Sequence, residues 1–443
     1  MLIKIAKSHG IFCAYNVVLF ALFCGVFVDS GIRFFPLLLI YFIPFVISYF
    51  LVKSSFKKQL DLKFINTNFS NYVNPNLKNI LIYGFAVLFI FTIIIHYYDI
   101  GFVPVIKAYL SSDYYEVVDI RKQGNYLSIK FVRYLSSFMI KAIIPFLLFY
   151  LLITKRYYLF IVIYILGILY AFSLMQKSFV VTILFPCFTY AIFKKQYLML
   201  IVFTITLFSY MFCLLSVTNP NLKPITKSSS TAVPEKLNFN NESKDNKKVD
   251  VEIKQELSSG KNGNVLQKKE PNNPSTANKN NTNIPLTFVN SLMRRVFITP
   301  GKIVSKWFEN IPNKRPFLNG CGYRFFAPIV GCEYQNYSLK LYKNIFPSYA
   351  EKGIKGNVNT TSFMYDYSNF GKTGLVLSAL VMGFIIAFID YLFAFSLLCK
   401  FSINGFYVLM LSSSALTTLM FSGGWALMII LFYIYRSDFL KLH

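Results

Sequence analysis

"RYLSSFMIKAIIPFLLFYLL", residues 133–152, runs for twenty residues with only two charges, Arg133 and Lys141. About twenty apolar residues is the length a helix needs to cross the hydrocarbon of a bilayer. A surface helix of a soluble domain would break its apolar run every few residues to leave a wetted face. The stretch therefore reads as a membrane span, 131–153, with Arg133 at its top and Lys141 roughly two turns deeper. A lysine at that depth is a functional-site hypothesis, set against snorkelling to the interface or pairing with a carboxylate.

Working outward, the same pattern recurs along the chain. It predicts about ten spans, near 11–28, 34–52, 79–98, 131–153, 157–174, 178–193, 197–217, 371–397, 403–420 and 424–436. The expected fold class is an all-α polytopic membrane protein with a large external loop. Over its 443 residues the chain is 55% apolar and only 14% charged, so a soluble class is excluded. A net charge of +26 could suggest nucleic acid. The basic residues lie between spans and in one long loop, however, rather than on one soluble face. No signal peptide with a cleavage site is read at the N-terminus, so the first span is expected to be retained.

Basic residues in short loops orient the spans. With the N-terminus inside, fourteen fall on the cytoplasmic side: Lys4, Lys7, Lys53, Lys57, Lys58, Lys63, Lys78, Lys155, Arg156, Lys194, Lys195, Lys400, Arg436 and Lys441. Six fall outside: Arg33, Lys107, Arg121, Lys122, Lys130 and Lys177. Both termini are then cytoplasmic and residues 218–370 external. The domain reading is 1–217, spans one to seven; 218–283, a disordered external insertion; 284–370, a structured external loop; and 371–443, spans eight to ten. The insertion has Phe239 as its one aromatic residue and cannot bury enough apolar surface to offset the entropy of ordering.

In the structured loop, Leu286, Val289, Met293 and Val296 recur at helical spacing and leave Arg294 and Arg295 on a flank. Pro300 and Gly301 should stop or bend that helix, and Ile303, Val304, Trp307 and Phe308 form a second apolar stripe. Two amphipathic helices lying at the outer membrane surface are expected. Residues 284–370 hold eleven Lys/Arg against four acids (Glu309, Glu333, Glu351 and Asp366), a surface suited to an anionic ligand.

Three segments carry a family resemblance: "RRVFITPGK" (294–302), "NVNTTSFMYDYSNFGKTGLVLSALVMGFIIAFID" (357–390), and the opening stretch followed by "MQKS" (175–178). Together they resemble the bacterial O-antigen and oligosaccharide repeat-unit polymerases (Wzy type), over about residues 110–200 and 284–392, roughly half the chain. The resemblance implies a membrane glycosyltransferase of polysaccharide biosynthesis, similar in fold to the polytopic C-type glycosyltransferases. It would join undecaprenyl-pyrophosphate-linked oligosaccharides at the external face of the inner membrane, making the polysaccharide of lipopolysaccharide or capsule. A flippase and a chain-length regulator are the implied partners, besides the lipid bilayer.

Such chemistry breaks a glycosyl-phosphate bond, and fixed guanidinium forks suit the charge that develops on the leaving pyrophosphate. Arg294 and Arg295 are the leading candidates; their alternative role is anchoring to anionic headgroups. Arg121, Arg133, Lys141, Lys177, Lys302, Arg324 and Tyr365 are candidates for holding pyrophosphate or sugar. Lys177 also reads simply as a solvated turn. Asp366 is the best-placed candidate base, with Asp113, Glu116 and Asp119 behind it, or else a neutraliser of a nearby cation. His96, beside "YYD", reads more readily as structural. Cys321 and Cys332 either pair in an oxidising compartment or stay free. No HExxH or CxxC supports a metal, "NGCGYR" (319–324) lacks the context of a phosphate loop, and no cofactor is expected.

Competing classes are a flippase of lipid-linked oligosaccharide, an O-antigen ligase, and a polysaccharide-binding sensor or scaffold. Transporters of the first kind are usually built from internal repeats, and none is seen here. Ligases rely on an external-loop histidine, which this loop lacks.

Overall fold

A computed structural model describes residues 2–59, 74–111, 113–124, 127–218, 298–351, 353 and 356–441. Among these the chain is helix and turn with no strand, an all-α membrane protein. Six helices are long and apolar enough to cross a membrane. They are α1 (Leu2–Ser30), α2 (Phe35–Gln59), α3 (Pro75–Ile100), α4 (Phe131–Ile153), α7 (Tyr197–Thr218) and α9 (Ser362–Leu392). Between and after them come shorter apolar helices, α5 (Tyr157–Ser173), α6 (Lys177–Phe193), α10 (Leu397–Met410) and α12 (Trp425–Lys441). Helices satisfy their own backbone groups, which is what hydrocarbon requires of a spanning segment.

Burial separates the centre of the bundle from its rim. In α4, 78% of the apolar window is buried, against 17% in α7. A helix apolar all round is a core helix, and α4 is the hub. The rim helices instead turn one apolar stripe outward. In α3, Ile82, Phe89 and His96 face the bundle, while Ile80, Val87 and Ile94 are exposed. That outer stripe would be unfavourable in water and is neutral against lipid tails.

Polar contacts show how the helices alternate. At one end Lys78 (start of α3) meets Asp438 (end of α12) at 3.2 Å, and Arg156 (start of α5) reaches Asn79 at 2.8 Å. Asp390 (end of α9) accepts from the backbone of Ile11 in α1, and Arg436 lies over the Phe395 ring. At the opposite end Ser30 meets Ser305, and Leu411, after α10, accepts from Ser362 N at the start of α9. Successive helices therefore run up and down.

Two departures from the sequence reading matter for the site. First, the apolar stripe expected to lie on lipid belongs to α8 (Thr299–Asn310), which carries Pro300 in its first turn. Proline suits the first turn, where its missing N–H would have had no helical partner. This helix packs on α1 rather than on lipid. Val304 and Trp307 are fully buried, Phe308 stacks on Phe34 at 5.3 Å, and a Cβ added at Gly301 would stand 2.5 Å from Leu22 O. A stripe of period 3.6 looks the same under protein as under lipid. The preceding helix expected over 286–296 lies outside the described residues, as does the insertion.

Second, the span expected over 403–420 is broken. α10 ends at Met410, a five-residue helix α11 (Leu416–Met420) follows, and a turn leads into α12. Serine hydroxyls compete for backbone carbonyls here: Ser412 bonds Leu409 O at 2.7 Å and Ser422 bonds Thr418 O at 3.1 Å. The Leu411 carbonyl, freed from the helix, accepts instead from Thr361 Oγ1 at 2.9 Å. Irregular backbone at membrane depth is tolerated where it is buried in protein or lines a cavity.

Candidate functional site

Pro145 has no N–H, so the carbonyl of Lys141, four residues earlier, has no α-helical partner. The helix answers with a π turn over Met139–Ile143, in which Ile144 N reaches back to Met139 O. The orphaned Lys141 carbonyl is taken by Tyr407 Oη at 2.7 Å. Tyr407 in turn stacks flat on Trp425, whose Nε1 donates to Asn404 Oδ1 at 2.9 Å. The turn that carries Lys141 is thus pinned from α10 and α12, and Lys141 opens onto a cavity of about 400 Å³.

The polar wall of this inner cavity is Arg133, Ser136, Ser137, Lys141, Gln176 and Ser178, with His96 beside them. No carboxylate lines it among the described residues. Lys141 Nζ has neither a hydrogen bond nor an ion pair among those residues, whereas Arg133 donates to Leu127 O. A desolvated ammonium facing an acid-free space leaves a strong positive potential there.

An outer cavity of about 900 Å³ adjoins it, and the two share Asn359, Ser414 and Thr418 in their walls. The break after α10 supplies two of those three residues. The outer walls are aromatic and amide-rich, with Trp307, Tyr334 and Tyr365 beside Asn336, Asn357 and Asn369. Arg324 also lines it, its guanidinium 5.1 Å from the centre of the Tyr334 ring. The Trp307 indole N–H is buried and has no acceptor among the described residues. A buried donor of that kind is an opening for a ligand hydroxyl. Flat apolar rings with amides and one spare donor are the groups that bind a sugar, which offers an apolar face and a rim of hydroxyls.

The outer wall is held by a second break. Gly371 takes φ +61° and ψ −137°, conformations closed to side chains, and interrupts α9. The carbonyls of Ser368 and Asn369, released just ahead of it, accept from Leu318 N and Asn319 N, each at 2.9 Å. Asn369 Oδ1 accepts from Gly322 N at 2.9 Å. Cys321 and Cys332 form a disulfide with their Cα atoms 5.9 Å apart, closing the loop that contributes Arg324, Phe325 and Phe326.

The candidate residues from the sequence are distributed unevenly. Arg133 and Lys141 come together in the inner cavity, Arg324 and Tyr365 in the outer one. Lys177 is exposed at the start of α6 and lines neither, though its neighbours Gln176 and Ser178 do. Arg121 is exposed on the helix Tyr114–Gln123 and lines neither. Lys302 is half-exposed and pairs with Asp29 at 3.6 Å. Asp366 lines neither cavity; its carboxylate accepts from Tyr323 Oη. Burial and the Asp366 charge push the Tyr323 hydroxyl's pKa up, so it stays a donor. Arg294 and Arg295 lie outside the described residues. Sequence reasoning passed over Ser136, Tyr407 and the serines of the break; only Pro145, four residues after Lys141, signalled the turn.

Fold and cavities define a polytopic α-helical membrane protein with a joined cationic and aromatic site. No family model matches the chain, and no curated protein or solved structure is significantly similar to it.

Proposed function

We propose that the protein is a membrane-embedded polymerase that joins undecaprenyl-pyrophosphate-linked oligosaccharide repeat units by glycosyl transfer. The observation that carries this reading is Lys141, a cation without a counter-charge among the described residues, in a cavity that continues into an aromatic, amide-lined one. A pyrophosphate followed by an oligosaccharide has that same order of chemistry. Further support comes from the segments that resemble repeat-unit polymerases. Residues 133–152 contribute Arg133 and Lys141 to the inner cavity, 175–178 contribute Gln176 and Ser178, and 357–390 contribute Asn359.

In this reading the donor's pyrophosphate sits beside Lys141 and Arg133, which meet the charge that grows as the anomeric C–O bond breaks. The saccharides of donor and acceptor share the outer cavity, on Tyr334, Tyr365 and Trp307. The chain would have about ten spans in the bacterial inner membrane, cytoplasmic termini, an external 218–370 segment and a C-type glycosyltransferase-like fold. The product would be O-antigen or capsule, with a flippase supplying substrate and a chain-length regulator acting on the product. The test is purified protein in liposomes with the lipid-linked repeat unit. Ladders of lipid-linked polymer are expected. Transfer of intact repeat units across the bilayer without any joining would replace this reading with a flippase.

A further inference from the structure

Deep in the wall of the inner cavity, His96 Nε2 lies 3.1 Å from Gly124 O, and His96 Nδ1 lies 2.8 Å from Tyr170 Oη. Tyr170 Oη lies 2.7 Å from Ser136 Oγ. All three side chains are buried, with His96 at 1%, Tyr170 at 2% and Ser136 at 6% exposure. The directions of these bonds follow from chemistry alone. A carbonyl can only accept, so the proton of a neutral imidazole is on Nε2. Nδ1 then holds a lone pair and Tyr170 must donate to it. With its proton so used, the Tyr170 oxygen accepts from Ser136. The chain therefore ends in a serine hydroxyl at the cavity wall, pointing its proton inward and keeping lone pairs for whatever occupies the cavity.

We propose that this chain accepts the proton of the acceptor sugar hydroxyl during transfer, with the His96 imidazole as its terminus. The inference rests on the glycosyl-transfer reading above and adds the base that reading lacks. The attacking hydroxyl oxygen forms a bond to the anomeric carbon, and the bond from that carbon to the pyrophosphate oxygen breaks. The electron pair of the broken bond leaves with the pyrophosphate. The hydroxyl's proton passes to Ser136 Oγ, the proton Ser136 held passes to Tyr170, and the Tyr170 proton passes to His96 Nδ1. Serine and tyrosine end neutral, and the imidazolium keeps its Nε2–H on Gly124 O. Product release and return of that proton to water reset the chain.

The surrounding charges suit a terminus that is neutral at rest and charged only during turnover. Arg133 and Lys141 line the same cavity and oppose a resting imidazolium. Asp99, one turn along α3, favours it, but its carboxylate is bonded to Ser128 N at 2.9 Å. Tyr97, the other neighbour, is bonded to Ser173. A bound pyrophosphate adds negative charge to the space that the two cations share, so the imidazole becomes the better proton acceptor when substrate is present. Asp366 is poorly placed for the task because it lines neither cavity and accepts from Tyr323. Ser136 is the group that touches substrate; Tyr170 and His96 act through it.

The experiment is polymerisation by the full-length protein in liposomes, read as kcat, KM and their pH profiles. Wild-type kcat/KM should fall toward acid, because an imidazole already protonated accepts nothing. Tyr170→Phe keeps the ring and cuts the chain, and should lower kcat by about 10²- to 10⁴-fold with KM unchanged. His96→Gln keeps a donor for Gly124 O and an acceptor for Tyr170 but takes no proton. It should lose the same factor in kcat and also the acid limb. Ser136→Ala, a change of one atom at the wall, should match Tyr170→Phe and serves if the buried variants fail to fold. Wild-type kcat and acid limb in any folded member of the set would overturn the relay. Polymer from wild type with unaffected variants removes the relay alone, whereas no polymer from wild type removes the glycosyl-transfer reading and the relay with it.

Discussion

Two lysines inside the bundle make opposite use of the same ammonium group. Lys400 is fully buried and bonds Asp390 Oδ1 at 2.8 Å, Asp390 O at 3.3 Å and Lys7 O at 2.6 Å. Those three acceptors exhaust its three donors. Asp390 is equally saturated, accepting from Ile11 N, Phe12 N and Tyr49 Oη, each at 3.0 Å. The α1 backbone that offers two of these donors follows a kink at His9, at φ −129° and ψ 24°. Lys141 has none of this. Its carbonyl is held by Tyr407, its chain by a π turn, and its ammonium by nothing among the described residues. A charge whose partners are all supplied by the fold serves the fold. One whose backbone is fixed and whose head is left open is arranged for something that arrives.

The comparison breaks most visibly at the paired end. Lys400→Met leaves the Asp390 carboxylate buried without its counter-charge, and removing one member of a buried pair costs about 3–5 kcal/mol. The variant should melt well below wild type in detergent. An unchanged melting temperature would show that the backbone amides alone suffice for Asp390.

Next in size are the arginines outside the described residues. If Arg294 and Arg295 stabilise the leaving pyrophosphate, Lys in their place keeps the charge and loses the fork. Each substitution then costs about 3 kcal/mol, on the order of a hundredfold in rate. Strains carrying Arg294→Lys or Arg295→Lys would display single repeat units on a gel. Normal ladders from both would assign the arginines to headgroup attraction, where any cation serves. Smallest is the disulfide. Replacing Cys321 and Cys332 together by Ser should loosen the Arg324 loop and raise the acceptor KM. Ordering one side chain costs about 0.5–1.5 kcal/mol, roughly two- to tenfold in KM. An unchanged KM would remove that loop from the saccharide site.

The six helices long and apolar enough to span were legible because hydropathy and length alone decide what hydrocarbon accepts, and the place of Lys141 within α4 followed from counting turns. The break after Met410 was not, since serines and threonines are tolerated in a membrane helix and the apolar run continues to Met420. Its cause is tertiary: the start of α9 supplies partners for the Leu411 carbonyl. Nothing local in the sequence shows Tyr323, 43 positions earlier, donating to Asp366. Nor does anything local show what His96 meets. Its partner Tyr170 is 74 positions away, and Ser136 is a further link that only packing brings into line. For α8 the stripe was read correctly, and only its cover, α1 instead of lipid, was hidden.

The claim that Lys141 is held open for a pyrophosphate is tested most directly by thermal unfolding with and without undecaprenyl pyrophosphate. Ligand at 100 times its Kd adds about 2.7 kcal/mol to the folded state. Wild type should therefore melt higher with the lipid. Lys141→Met, which removes a desolvated charge and strands no partner among the described residues, should melt no lower than wild type without ligand and gain clearly less than wild type when it is added. Equal stabilisation of both proteins by undecaprenyl pyrophosphate would contradict the account.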